Sequence, residues 1–388
     1  MPAVTVSDFR EAARRRLPHL FFEYLDGGSY SELTLARNVE DMQSLALRQR
    51  VMCDVSELNT AIELFGQSMA MPVALGPIGF AGMFARRGEV QAARAAHHRG
   101  LPFCLSTVGI CSVEEVSEQA PVPPWYQLYM IRDREYMAEL LKRVQACQCP
   151  VLVFTVDLPV AGARYRDVHS GMSGQPGLAT SLKRVWQGVS RPAWLWDVQL
   201  RGRPHSFGNI ADAVTENSGF SSFAGWVQRN FDPTVTWDDI AWVRERWPGP
   251  IVIKGILDPE DARQALHAGA DGLVVSNHGG RQLDGVPSGV AALPAIVDTV
   301  AGQVPVLMDG GVRSGLDVLR ALALGADACL LGRAWAYALA AGGEKEVARM
   351  LGIMRAELRV AMALTGCTDV RQAGRELLVG NAMTPGSS

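Results

Sequence analysis

The chain has 388 residues and a mass of 41.9 kDa, and 48% of its residues are hydrophobic, which is enough for a sizeable core and argues against disorder. Its formal net charge of -3 and pI near 6.2 exclude a global positive field for nucleic acid, so any anion binding must be local. No signal peptide or membrane span is predicted, and the seven cysteines lack metal-type spacing and are interpreted as reduced thiols of a cytosolic protein.

Eight short apolar or β-branched runs, each followed by a helix-like stretch, predict the architecture. They lie at 71–78, 102–107, 125–130, 151–157, 251–256, 272–277, 304–309 and 328–332. All spacings but one suit a β/α unit, and runs that are apolar on both faces are typical of parallel strands covered by helices. The exception is the long gap between the fourth and fifth runs.

An internal repeat points to the same fold. The segments ALHAGADGLVVS (265–276) and ALALGADACLLG (321–332) each read as a helix end, a Gly-Ala-Asp turn and a buried strand, two units apart. We therefore predict one domain over residues 1–388, a (β/α)8 TIM barrel with an insertion at about 158–250 after the fourth strand.

The ends of the predicted strands carry most of the polar residues. Active sites of such barrels lie at the carboxyl ends of the strands, so these side chains are expected to share one site. The candidate residues are Pro77, Ile78, Gly79, Ser106, Gln127, Tyr129, Thr155, Asp157, Lys254, Ser276, His278, Asp309, Gly310, Gly311, Arg313, Gly332 and Arg333.

The last two strand ends are typical of a phosphate site. DGGVRSG (309–315) and GRAW (332–335) combine glycines, which let backbone N–H groups approach an anion, with Arg313 and Arg333. A simple tight turn is the alternative for the glycines alone. Because the chain has neither a GxGxxG fingerprint nor a Walker lysine motif, Rossmann-bound NAD and ATP are not the expected ligands.

Lys254 ends the fifth predicted strand, where it faces the barrel mouth. Lysines are rarely buried without a partner, so it either stabilises an anionic cofactor or pairs with a neighbouring carboxylate. The neutral groups of Ser106, Gln127, Thr155 and Ser276 suit the orientation of a heterocyclic ring, although each could be an ordinary buried polar side chain.

The stretch SNHGGRQLDG (276–285) places a histidine directly after a buried strand. Gly279 and Gly280 let the chain turn, so that His278 and Arg281 both reach the pocket as a base and an anion clamp. Asp157 is the predicted partner that stabilises the charged imidazole.

Three further residues complete the candidate site. Arg164, in GARYRD, is a second clamp for a carboxylate. Tyr24 and Tyr129 offer hydroxyls to the reacting oxygen, and a packed aromatic near the N-terminus is the alternative for Tyr24.

FEYLDGG, QLY, FTVD, GARYRD, VIKGI, SNHGGRQLDG, DGGVRSG and LGRA occur in this order and spacing. The chain thereby resembles, over about residues 5–375, the family of FMN-dependent L-2-hydroxy-acid dehydrogenases and oxidases. MPVALGPIGFAGMFARRGEVQAA, FDPTVTW and KGILDPEDA are most similar to its bacterial branch, whose members oxidise L-lactate to pyruvate and reduce a membrane quinone. Mandelate or glycolate is an alternative substrate, and a non-redox phosphate-binding barrel is the alternative of a different class.

The resemblance implies FMN as the cofactor, with its phosphate at residues 309–313 and 332–333 and its ring near Pro77, Ile78, Gly79, Ser106, Gln127, Thr155, Lys254 and Ser276. It further implies that His278 is the base, with Asp157 as its partner, and that Arg164 and Arg281 hold the carboxylate while Tyr24 and Tyr129 contact the substrate. Lys254 would stabilise negative charge at the flavin N1/O2 edge. His278 takes a proton either from the hydroxyl, as hydride leaves, or from Cα. Gly79, where several oxidases carry Ala, favours a dehydrogenase.

The insertion contains a basic, tryptophan-rich stretch at 181–205. This stretch has five basic residues and one acidic residue, Asp197. The basic residues are Lys183, Arg184, Arg191, Arg201 and Arg203, and Trp186, Trp194 and Trp196 lie among them. This composition suits the headgroup region of an anionic membrane, where a quinone would be met, and a solvated lid at about 175–225 is the alternative. The resemblance adds a peripheral location on the cytoplasmic side of the inner membrane and a homotetramer.

Overall fold

The computed structural model describes residues 2–173, 177–210 and 229–380. Its strands are β1 (Ile62–Leu64), β2 (Gln67–Met69), β3 (Val73–Leu75), β4 (Cys104–Ser106), β5 (Trp125–Leu128), β6 (Leu152–Thr155), β7 (Ile251–Ile256), β8 (Gly272–Val275), β9 (Val306–Asp309) and β10 (Ala328–Leu331). Strands β3 to β10 form a parallel sheet that runs from β4 in sequence order to β10 and then to β3. A bridge between Leu75 and Phe103 joins its two edges, so the sheet is a closed (β/α)8 barrel, as predicted.

The helices surround this barrel. They are α1 (Val6–Arg16), α2 (His19–Asp26), α3 (Leu33–Ser44), α4 (Gly88–His98), α5 (Val113–Gln119), α6 (Arg134–Ala146), α7 (Tyr165–Ser170), α8 (Leu178–Val189), α9 (Pro192–Trp194), α10 (Asp238–Arg244), α11 (Pro259–His267), α12 (Gly289–Val300), α13 (Gly315–Ala323), α14 (Arg333–Gly342) and α15 (Glu344–Thr365). Several begin at a side-chain cap, as where Ser288 accepts a hydrogen bond from the N–H of Ala291 at 3.2 Å.

The period of two along each strand explains why the polar residues meet. Inward-facing residues such as Val153, Val252 and Val274 pack together inside the barrel, whereas Leu152 and Phe154 pack against the surrounding helices. Because side chains alternate along a strand, the residue two positions beyond each of these inner residues also faces inward, at the carboxyl end of its strand. The eight positions are Gly76, Ser106, Gln127, Thr155, Lys254, Ser276, Asp309 and Gly332. The carboxyl end of the barrel is therefore polar and the rest of its interior is apolar.

The hairpin of β1 and β2 covers the opposite, amino end of the barrel. Leu64 and Met69 join the apolar interior, and the ring of Phe65 packs edge-on against Trp125 at a centroid distance of 5.8 Å. The indole N–H of Trp125 donates to the Gln67 side chain at 3.0 Å. The sequence analysis did not predict this hairpin, which covers the end of the barrel away from the polar rim.

The insertion after β6 contains α7 to α10 and a π-helical turn, Leu195–Leu200, that follows α9. Residues 174–176 and 211–228 of the predicted insertion, which include part of the predicted lid or membrane segment, lie outside the described residues. Within the ranges that the structure describes, every helix is too short or too polar to cross a membrane.

Candidate active site

A cavity of about 520 Å³ lies at the carboxyl end of the barrel. It is lined by 17 of the predicted site residues, namely Tyr24, Pro77, Ile78, Gly79, Ser106, Tyr129, Thr155, Arg164, Lys254, His278, Arg281, Asp309, Gly310, Gly311, Arg313, Gly332 and Arg333. The other three lie directly behind its wall. Gln127 accepts from the Ser106 hydroxyl at 3.0 Å, Ser276 accepts from Lys254 at 2.8 Å, and Asp157 contacts His278.

The loop after β8 turns sharply and aims His278 at the cavity. His278, Gly279 and Gly280 have φ angles of 58°, 64° and 73°, three left-handed residues in succession. Glycine adopts this conformation freely, whereas a histidine there costs about 1–3 kcal/mol. The Ser276 hydroxyl accepts from the His278 N–H at 3.0 Å and helps to hold the turn. Such strain is typical of functional positions.

His278 and Asp157 form a partly buried pair. The imidazole Nδ1 lies 2.8 Å from Asp157 Oδ1, so the carboxylate favours a proton on Nδ1 and leaves Nε2 as the acceptor. Burial, together with the nearby Lys254 and Arg164 cations, lowers the pKa of His278 although Asp157 opposes this shift. Burial also disfavours a charged Asp157, but His278 and Lys254 outweigh it and hold the pKa of that carboxyl below its usual range. The pair is therefore an ionised carboxylate beside a neutral base.

Two guanidinium groups flank the ring of Tyr24. Arg281 donates to the carbonyls of Tyr24 and Gly27 at 2.7 and 2.8 Å, and its Cζ lies 4.8 Å from the Tyr24 ring centroid. Arg164 lies 6.0 Å from the same centroid, and burial together with the charge of Arg281 lowers its pKa. The nearest carboxylate oxygen, on Asp167, is 4.0 Å from Arg164. Two partly buried cations without a close carboxylate partner favour an anionic ligand between them.

Lys254 forms an ion pair with a neighbouring carboxylate, which was one of the two alternatives for this residue. Its Nζ lies 2.7 Å from Asp309 Oδ2, and both residues line the cavity. Burial works against the charge of Lys254, but Asp309 and Asp157 more than compensate and raise its pKa. Lys254 is therefore a fixed cation at the rim of the cavity.

The loops after β9 and β10 form the cationic end of the cavity. Gly310 and Gly311 both have a φ of 87°, and a Cβ at Gly311 would overlap the carbonyl oxygen of Asn38. Arg333 donates to the carbonyls of Gly27 and Gly279, each at 2.8 Å. Burial, reinforced by Arg281 and Arg313, lowers the pKa of Arg333 to about 9. A bound phosphate would offset this excess of positive charge.

The donor set around the cavity fits FMN. Among the described residues, Thr155 Oγ1, Gln127 Nε2 and Asp309 Oδ1 are buried polar atoms that lack a hydrogen-bond partner. Buried polar groups are normally paired, and a flavin ring offers both N–H donors and carbonyl acceptors. The ring is thus matched by the polar strand ends, and the phosphate by the cationic loops after β9 and β10.

Sequence reasoning missed two buried amides that brace these loops. Asn38 and Asn277 exchange side-chain hydrogen bonds of 2.9 and 2.8 Å, and Asn277 also accepts from the N–H of Gly280 at 3.0 Å. Asn38 thereby supports the histidine loop, and it also packs against Gly311. A signal was present, because Thr34, Asn38 and Met42 recur at the four-residue spacing of the buried stripe of α3.

Comparison with known proteins defines the class. Residues 13–380 match the family of FMN-dependent dehydrogenases, and the chain belongs to this family. It is an oxidoreductase whose cofactor is FMN.

Individual relatives narrow the comparison. An L-lactate dehydrogenase of Alcaligenes faecalis is 56% identical over 96% of this chain and 98% of its own length. An L-lactate dehydrogenase of Caulobacter vibrioides is 57% identical over 96% of this chain and 97% of its own length.

Two solved structures are similar to the fold. The monotopic membrane protein (S)-mandelate dehydrogenase has a TM-score of 0.90 and 34% identity, covering 98% of this chain and 100% of its own. A mandelate oxidase has a TM-score of 0.82 and 37% identity, covering 97% and 98%.

Proposed function

We propose that this enzyme oxidises L-lactate to pyruvate and passes the electrons to a membrane quinone. The observation that carries the proposal is the meeting, at one cavity, of the neutral base His278, paired with the ionised Asp157, and two partly buried guanidinium groups. Such a site suits a small hydroxy acid that must be held by its carboxylate and deprotonated nearby. The relatives named L-lactate dehydrogenase support lactate as the substrate.

Arg164 and Arg281 bind the substrate carboxylate and thereby fix the orientation of the carbon that bears the hydroxyl group. Tyr129 stays a neutral hydrogen-bond donor, because burial and the nearby Asp157 raise its pKa. Tyr24, between the two guanidiniums, contributes a second hydroxyl.

His278 removes a proton through Nε2, and Asp157 stabilises the imidazolium that forms. The proton comes from the hydroxyl group or from Cα, as the sequence analysis left open. FMN, when bound, would supply the acceptor for the two electrons. Lys254 would be the fixed cation that favours its reduced, anionic form.

Anaerobic mixing with L-lactate tests the proposal. The flavin absorption should bleach, and glycolate and mandelate should reduce it more slowly. A fastest reaction with mandelate would favour the substrate named for the similar solved structures. Protein without a flavin band would instead support a non-redox barrel. The variant His278→Asn should keep FMN and lose reduction, and substantial turnover in it would refute the role of His278 as the base.

We further propose that α8 and the turn after it contact the membrane. Leu182, Val185, Trp186 and Val189 recur at helical spacing and are all exposed, with Trp186 at 72%. Exposed apolar side chains on one helical face suit insertion into a bilayer interface. The monotopic (S)-mandelate dehydrogenase among the similar structures supports this reading.

The geometry corrects one part of the expectation for this stretch. Trp196 is exposed like Trp186, but Trp194 is only 4% exposed, and its indole N–H donates to the carbonyl of Met83 at 2.8 Å. Trp194 therefore anchors the insertion to the barrel, and the proposed membrane face contains two tryptophans.

Flotation with vesicles of anionic lipid tests the membrane contact. The double variant Val185→Ser/Trp186→Ser should lose vesicle binding and quinone reduction, yet keep lactate-dependent bleaching. Met52→Ser, at an exposed apolar side chain outside α8, is the control and should bind normally. Equal binding by all three proteins would contradict the proposal. The cytoplasmic side of the inner membrane and the homotetramer stay predictions, to be measured by protease accessibility and light scattering.

A further inference from the structure

Asp26, at the C-terminal end of α2, joins four helices through one buried carboxylate. Its side chain is 5% exposed and accepts hydrogen bonds from Arg10 of α1 at 2.8 Å and from Arg166 of α7 at 2.9 Å. The hydroxyl group of Tyr337, from α14, donates to it at 2.7 Å. Burial opposes its ionisation, but the bonds from Arg10, Tyr337 and Arg166 hold the pKa of Asp26 well below its usual range.

The backbone around Asp26 orients one arm of the carboxylate clamp. Arg281 donates to the carbonyls of Tyr24 and Gly27, on either side of Asp26. Fixing the side chain of Asp26 therefore fixes the carbonyls that aim the Arg281 guanidinium.

The side chain of Asp26 restrains the other arm. Arg166 follows Arg164 by two residues, and it binds Glu23 and Glu32 as well as Asp26. The segment that carries Arg164 is thereby tied to α2. Arg164 and Arg281 come from distant parts of the chain, and each bears a positive charge that disfavours the other. One direct contact joins the two arms, from the Nε–H of Arg164 to the backbone carbonyl of Arg281 at 3.3 Å. The bonds of Asp26 add a buried anchor that resists the repulsion between the two charges.

We propose that Asp26 is a positioning residue that holds Arg164 and Arg281 together as a clamp for the substrate carboxylate. The inference rests on the proposed function of these two arginines. Because Asp26 is not among the residues that line the cavity, it acts through the carbonyls of Tyr24 and Gly27 and through Arg166. Charge-assisted hydrogen bonds in a buried site are strong enough for this role, unlike exposed ion pairs.

The test compares Asp26→Asn, Asp26→Glu and Arg166→Gln with the wild type, all saturated with FMN. Its readouts are KM and kcat for L-lactate, and the Kd of oxalate measured by the change in flavin absorbance. Asp26→Asn should raise KM and the oxalate Kd about tenfold, equivalent to about 1.4 kcal/mol, with a smaller change in kcat. Asp26→Glu should restore part of the loss. A purely structural role would lower stability and FMN content but leave these constants unchanged in the loaded enzyme.

Arg166→Gln leaves the hydrogen bonds of Arg10 and Tyr337 to Asp26 in place. It therefore provides the test if Asp26→Asn does not fold. It should raise both constants severalfold, and adding Asp26→Asn should then have less than an additive effect. Glu114→Gln is the matched control, since Glu114 and Arg143 form a bidentate pair of 2.7 and 3.1 Å between α5 and α6, away from the clamp.

The inference would be overturned if the KM for L-lactate and the Kd of oxalate stayed within about twofold of the wild type in both Asp26→Asn and Arg166→Gln. If Asp26→Asn does not fold, the same result in Arg166→Gln alone would overturn it. A wild-type flavin that no 2-hydroxy acid reduces would refute the proposed function. The oxalate constants of the variants would still decide the role of Asp26.

Discussion

Replacement of Asp157 by Asn tests the role of His278 as the base most directly. Asp157 Oδ1 lies 2.8 Å from His278 Nδ1 and stabilises the imidazolium that forms when His278 accepts the substrate proton. A hydrogen bond to a charged group contributes about 1.5–3 kcal/mol, which corresponds to about a 10- to 150-fold slower flavin reduction. An Asn amide that donates to Nδ1 adds to the loss, because it moves the imidazole proton to Nε2.

The pH profile separates this effect from a general loss of structure. Asp157 opposes the burial that lowers the pKa of His278, so its removal should lower that pKa further. The acid limb of the reduction rate should therefore move to lower pH while the plateau falls. Stopped-flow reduction of the FMN-loaded protein by L-lactate, from about pH 5 to 9, measures both quantities. A plateau within about threefold of the wild type and an unmoved acid limb would refute the assignment of Asp157 as the partner of the base.

Three further predictions concern the wall of the site. Lys254→Met leaves the carboxylate of Asp309, which is 15% exposed, without its partner and should destabilise the protein by about 3 kcal/mol in urea unfolding. The double variant Lys254→Met/Asp309→Leu should largely remove this effect. Gly79→Ala places a Cβ 2.7 Å from Val108 Cγ2 and should lower the free energy of unfolding by about 1–3 kcal/mol. Adding Val108→Ala should relieve this loss. Equal stability of the wild type, the single variant and the double variant would contradict the close packing. Because the folded protein lowers the pKa of Asp26, this carboxylate stabilises the fold fully above its usual pKa of 3.8, and the stabilisation is lost as the pH falls below that value. The difference in unfolding free energy between the wild type and Asp26→Asn should therefore shrink in acid. A difference that stays constant would argue against the ion pairs as its cause.

The barrel itself was predictable because its signal is local. Strands buried on both faces give short apolar runs, and all eight runs became barrel strands at the expected places. The period of two then places the last inward residues, such as Thr155 and Lys254, on one rim. The family motifs supplied the identity of the residues, and most of these line one cavity.

The features that the sequence did not predict lack such a local signal. The hairpin of β1 and β2 has strands of only three residues each, too short for a pattern of alternation. The composition of 181–205 could not separate the buried Trp194 from the exposed Trp186, because the facing of each side chain depends on the surface that the insertion packs against.

By itself, the sequence determined the order of strands and helices, the polar end of the barrel and the chemical types of the residues gathered there. The tertiary structure alone decided which distant groups became partners: Asn38 with Asn277, 239 residues apart, and Asp26 with Arg166, 140 residues apart. The physical reason is that periodicity and motifs report the neighbourhood along the chain. The compensation of a buried charge or amide, by contrast, depends on whichever group folding brings within hydrogen-bond reach.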